Sequence, residues 1–224
     1  MNFEGLRTRG ARLAEAASRL KSLSAWPDAG ISLAYLTTAE RGPSPDVIAR
    51  ACGTLVTIVY RHHGDPRRRS KARALAAACR RSGARLLIAG DLDLVRDAGA
   101  DGLHWSWRGG APPDRRHLDD LMLTCSCHDL ADLAAARASG ADAAFLSPAF
   151  KTRSHPGAAA LGVDGFRHLA SEAGLPVLAL GGVNEMNAPH LAGPNVVGFG
   201  AIDAFAAKTM SGPQPEVQGN LEGS

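Results

Sequence analysis

Eight short runs of apolar, β-favouring residues recur along the chain, each followed by a polar or helix-patterned stretch. They fall at 31–38 (ISLAYLTT), 54–61 (TLVTIVYR), 84–90 (ARLLIAG), 101–107 (DGLHWSW), 121–127 (LMLTCSC), 143–150 (AAFLSPAF), 176–182 (PVLALGG) and 195–201 (NVVGFGA). Between several of them apolar residues return at helical spacing, as in DPRRRSKARALAAACRRSG, DLADLAAARASGAD and VDGFRHLASEAG. Gly83, Gly140 and Gly174 stand where such helices should end. Eight strand–helix units predict an α/β fold, a (β/α)8 TIM barrel. An open doubly wound sheet would use the same alternation, but no G-x-G-x-x-G follows the first strand.

Two segments lie outside the repeat. Residues 1–27 form an N-terminal helical extension, expected to pack against one end of a barrel spanning 28–208. The Pro-, Gly- and Gln-rich stretch 211–224 is expected to be a disordered tail.

Size and composition narrow the picture without changing it. A chain of 224 residues with 45% hydrophobic content suits one domain with one large core. No apolar run approaches the length of a membrane span, and the Arg-interrupted N-terminus does not read as a secretory signal, so a cytoplasmic location is expected. A net charge of +3 is too small to argue for nucleic acid, and the basic cluster 66–74 has no aromatic neighbours for stacking bases. The four cysteines read as buried thiols, since Cys125 and Cys127 share one face of a strand and are poorly placed to bridge. The sequence leaves a homo-oligomer open.

Barrel geometry places the chemistry. Active sites in such barrels sit at the C-terminal ends of the strands. Arg, His, Ser and Thr collect there, with Arg61 as a fixed cation, so the mouth suits an anionic small molecule. Two glycine-bearing turns follow strands 7 and 8, where backbone amides commonly hold a phosphate. Gly181, Gly182, Gly200 and Ala201 are the candidate donors.

The series ARLLIAGDLDLVRDAGADGLHW, SCHDLADLAAARASGADAAFLSPAFKTRSHPGAAALG and GLPVLALGGVN resembles the thiamine phosphate synthase family and its thiazole tautomerase (TenI-type) branch, over about residues 31–207. The resemblance implies a barrel that binds a thiazole phosphate. The synthase joins it to a hydroxymethylpyrimidine diphosphate and releases pyrophosphate; the tautomerase isomerises the thiazole carboxylate phosphate. The polar loop after strand 6 matches a phosphate-gripping T-x-T-K pattern with Thr152, Ser154 and His155. The Q-x-R-x-K pattern after strand 2 keeps Arg61 but has Val59 and His63. His63 and His155, each in place of a lysine, are placed to meet across the mouth.

Both magnesium carboxylates that the family pattern implies are missing. Ala89 and Gly90 stand where it has Asn-Asp, and Gly109 replaces the second Asp; Asp91 would have to substitute. These departures favour a divergent tautomerase-like enzyme with a degraded Mg-diphosphate site, needing no metal or other cofactor. An active synthase, which would need Mg2+, and a non-catalytic thiamine-precursor binding protein stay as alternatives. The S-x-H match after strand 5 implies His128 as the acid/base, with Ser126 inward and able to contact ligand. His104 reads equally as ligand contact and as core. Of Trp105 and Trp107, one should pack on helices and the other cover the mouth where the family has Gln.

Overall fold

A computed structural model describes residues 2–39, 41–152, 157 and 159–206 of the chain. The eight expected strands are all present: β1 (Leu33–Leu36), β2 (Thr57–Tyr60), β3 (Arg85–Ala89), β4 (Gly102–Trp105), β5 (Met122–Cys127), β6 (Ala143–Leu146), β7 (Val177–Ala179) and β8 (Val196–Ala201). They pair in sequence order, all parallel, and β8 closes on β1 to make a complete barrel. The helices are α1 (Phe3–Ser22), α2 (Pro45–Cys52), α3 (Arg68–Ser82), α4 (Leu92–Ala98), α5 (Leu130–Ala138), α6 (Gly162–Glu172) and the single turn α7 (Asp203–Ala206).

Strand alternation divides the apolar residues into two layers. Ala34, Leu36, Val59, Leu87, Ala143, Phe145, Leu178 and Val197 fill the barrel interior. Leu33, Ile58, Leu86, Leu103, Cys125, Cys127 and Phe199 belong to a larger outer core with the helices. The interior layer is dominated by branched and small side chains, so the barrel is a packed core open only at its ends.

Gly83, Gly140 and Gly174 all take positive φ at the ends of their helices, as the sequence predicts. Two of the eight units carry no α-helix among the described residues. After β4 the chain makes 3-10 turns at Trp107–Gly109 and Arg115–His117, and after β7 one at Ala188–Leu191. Pro112 and Pro113 separate the two turns after β4 and Pro194 follows the one after β7, each opposing an α-helical continuation.

The N-terminal helix departs from expectation in its seat. Its buried stripe, Leu6, Arg9, Gly10, Leu13, Ala14, Ala17 and Leu20, faces β8, β1 and α2 along the barrel's side wall instead of covering one end. Only the four-residue α7 follows β8 among the described residues, and α1 covers the outer face that β8 would otherwise expose. The tail expected at 211–224 lies outside the described residues. No helix among them is long and apolar enough to cross a membrane.

Candidate active site at the barrel mouth

The C-terminal strand ends and their loops enclose a cavity of about 1080 Å3. Arg61, His63, His104, Ser126, His128, Thr152, Gly181, Gly182, Gly200 and Ala201 all line it. Ser154 and His155 lie outside the described residues, and so does the proposed meeting of His63 with His155. Among the described residues, the fixed cations Arg9, Arg12, Arg61 and Lys151 share the wall with the carboxylates of Glu185 and Asp203. Glu185 is bonded to Arg9 and Asp203 lies 3.3 Å from Arg41, so both negative charges are offset and the mouth favours anions.

The turn after β7 requires its glycines. Gly181 and Gly182 have φ of 91° and 65°. A Cβ on Gly181 would lie 2.9 Å from Pro148 Cα, and one on Gly182 would lie 2.6 Å from the Lys151 carbonyl. The Asn187 amide donates to the Gly182 carbonyl at 2.9 Å and fixes the turn from behind. The backbone amides of Gly181, Gly182 and Ile202 meet no acceptor among the described residues. Gly200 and Ala201 end β8 beside them, on the same cavity.

His104 sits one layer below the mouth, paired in register with Ala89 on one side and Thr124 on the other. Its ring nitrogens each lie 2.9 Å from a hydroxyl, Nδ1 from Thr124 and Nε2 from Ser126, and its ring stands edge-on to Phe145. Burial, with Arg61 and His63 nearby, pulls its pKa down to about 3, so the ring is neutral and supports Ser126 at the cavity wall.

His128 precedes Asp129, the N-cap of α5, and is exposed to the mouth. Its Nδ1 lies 2.9 Å from the Ser147 carbonyl oxygen. A carbonyl only accepts, so Nδ1 carries the proton and Nε2 is the basic nitrogen. This tautomer is the one a general base needs. Arg61 donates Nε–H to the Thr37 carbonyl at 3.1 Å, and its backbone amide donates to the Thr37 hydroxyl. Burial and then Arg41 lower its pKa from the usual arginine value, yet a guanidinium keeps its charge at neutral pH. Burial, Arg68 and Arg61 lower the His63 pKa, favouring its neutral form.

The described residues do not fit a magnesium ion. Ala89, Gly90 and Gly109 offer no side-chain oxygen at the positions the family pattern implies. Asp91, the one candidate substitute, is engaged: Oδ1 caps Leu94 N–H at 2.9 Å and Oδ2 takes Arg68 Nη1 at 2.9 Å. Among the described residues no three His, Cys, Asp or Glu side chains come together to hold a metal. The cysteines are buried in the outer core, where burial pushes Cys125 up to about 12. Trp105 lines the mouth and donates to the Gly110 carbonyl at 2.8 Å; both it and Trp107 pack against the outer core.

Arg9, Arg12, Lys151 and Glu185 belong to the mouth and were not anticipated from the sequence. Arg9 carried a usable signal, since it stands inside the apolar stripe of α1, where a buried cation needs a partner. The basic cluster at 66–74 is largely ion-paired: Arg68 with Asp91, Arg69 and Arg73 with Asp97, and Lys71 with Asp65.

The model of the thiamine monophosphate synthase family matches residues 35–205. A thiamine-phosphate synthase of Chloroflexus aurantiacus is 30% identical over 187 residues, 80% of this chain and 82% of that protein. One of Nitrosospira multiformis is 31% identical over 207 residues, 83% and 86% of the two chains. A Geobacter sulfurreducens relative, 36% identical over 142 residues, is covered over 65% of its length. Among solved structures, the thiamine phosphate pyrophosphorylase of Pyrococcus furiosus superposes with a TM-score of 0.63 at 21% identity, covering 79% of this chain and 88% of that one, which shows the shared fold.

Proposed function

The chain belongs to the thiamine monophosphate synthase family, and from that premise we propose that its mouth binds a thiazole phosphate with the ester anion on the turns after β7 and β8. One observation carries the reading: two turns, with backbone amides that meet no acceptor among the described residues, converge on a single cavity walled by cations. Thr152 approaches the anion from the loop after β6, while Ser126 and His128 face the heterocycle.

The names of the relatives weigh toward condensation over the isomerisation expected first. In that reaction the pyrimidine methylene leaves its diphosphate and bonds to the thiazole, and pyrophosphate departs. Arg61 and Lys151 supply positive charge for the leaving group in a mouth where no metal-binding cluster forms among the described residues. Isomerisation keeps one specific support. The basic Nε2 of His128 can take a proton from one position of the heterocycle and return it at another.

One incubation decides between them. The purified protein is given thiazole phosphate and pyrimidine diphosphate, with and without Mg2+, and thiamine phosphate is followed. Product formation supports condensation. No product, with thiazole carboxylate isomerisation that disappears in His128→Ala, supports the second reading. Failure of thiazole phosphate to bind sinks both.

A further inference from the structure

Arg9 has a side chain only 6% exposed, in the middle of the apolar face of α1. Its guanidinium holds two turns at once. Nη1 and Nη2 both donate to the Glu185 carboxylate, the latter at 2.8 Å, and Nε donates to the Ala204 carbonyl at 2.7 Å. Glu185 follows Gly182 by three residues, and Ala204 follows Ala201 by three. A helix lying 176 residues away in sequence from Glu185 thus bridges the segments that continue from the two glycine-bearing turns.

We propose that Arg9 is a positioning residue that fixes the separation of these two turns and so sets the phosphate site; the inference rests on the phosphate reading of the mouth. A buried ion pair is a poor source of stability in itself, because desolvation offsets its Coulomb gain and an apolar pair would fill the same volume. What a planar fork adds is geometry: two parallel N–H bonds to a carboxylate and a third to a carbonyl define both distance and angle. Strand pairing holds β7 and β8 together but stops at their ends, since the β7–β8 register reaches Ala179 and Phe199. Beyond that point the Arg9 fork is a hydrogen-bonded tie that reaches the chain after each turn. Lysine keeps the charge but cannot make this three-bond contact.

Glu185 gives the test a sign. It is a carboxylate on the cavity wall, so simple electrostatics requires that its removal tighten anion binding. A clamp requires the opposite.

The experiment is calorimetric titration of the full chain with inorganic phosphate, alongside thermal melts, for wild type, Arg9→Lys, Glu185→Gln and the control Arg7→Gln. Arg7 is an exposed residue of the same helix, whose only ion pair is with Glu4 on the surface among the described residues. Phosphate affinity is expected to fall about tenfold in Arg9→Lys and several-fold in Glu185→Gln, with Arg7→Gln unchanged. Wild-type affinity in a folded Arg9→Lys, or tighter binding by Glu185→Gln, overturns the clamp alone. Should Arg9→Lys not fold, the direction of the Glu185→Gln change decides. A wild-type protein that takes no phosphate removes the phosphate reading and the clamp with it.

Discussion

The imidazole of His63 stands 3.4 Å from the point where a side chain on Gly90 would begin. At Gly109 the same position lies 3.3 Å from the Trp105 indole. Two rings therefore lie against the two places where the family pattern implies metal-binding carboxylates. The chemistry of this mouth should accordingly be indifferent to divalent cations. Pyrophosphate affinity measured in EDTA and in millimolar Mg2+ is expected to agree within about twofold; a tenfold gain with Mg2+ would show that ligand oxygens and other residues rebuild the site. Gly90→Asp would not restore it. At a φ of 67° a non-glycine residue is strained by about 1 kcal/mol, and its side chain would start against His63.

His63 predicts a pH dependence with a definite sign. Burial, Arg68 and Arg61 depress its pKa, while Asp91 opposes them and His62 adds to them. The imidazole is thus neutral at pH 7 and becomes a cation only in acid. Sulfate keeps its charge across this range, so its affinity should rise as pH falls below about 6.5. His63→Gln should flatten that rise. An unchanged slope in the variant would place the titrating group elsewhere in the mouth.

Gly182→Ala tests the turn after β7. The added methyl would begin 2.6 Å from a backbone oxygen at a φ of 65°, so the turn or the 148–151 segment must move. The expected cost is roughly 2–3 kcal/mol in urea unfolding, with phosphate binding weakened at least tenfold. Normal phosphate affinity in a destabilised but folded variant would mean that these amides do not hold the anion.

The barrel was legible because its signal is local. Runs such as LLIA in β3 and AAFL in β6 declare buried strands, and glycines close the intervening helices. Strand alternation correctly turned Cys125 and Cys127 outward and His104 inward. What stayed hidden depends on chain segments meeting across long separations. Nothing in the sequence near Glu185 announces Arg9, and the seat of α1 follows from which barrel face is left uncovered. Which of Trp105 and Trp107 would face the mouth was also left open by the sequence, and it is settled by β4 ending at Trp105, after which the chain turns and Trp107 packs against the outer core.

His104 offers a prediction that needs no ligand. Its folded-state pKa of about 3 lies well below the ordinary value of 6.5, so between these limits the unfolded chain binds a proton that the native protein refuses. Stability supplied by this residue is complete above about pH 6.5 and is lost as pH falls toward 3. At pH 5 the unfolded state is favoured by about 2 kcal/mol relative to pH 7.5, from this group alone. Urea unfolding of the wild type and of His104→Gln at both pH values isolates the effect. The variant should be less stable at pH 7.5, having disturbed Thr124 and Ser126, and should lose about 2 kcal/mol less on acidification. Equal acid losses in the two proteins would mean that the buried imidazole accepts a proton without unfolding, and that its neutrality does not hold up the floor of the mouth.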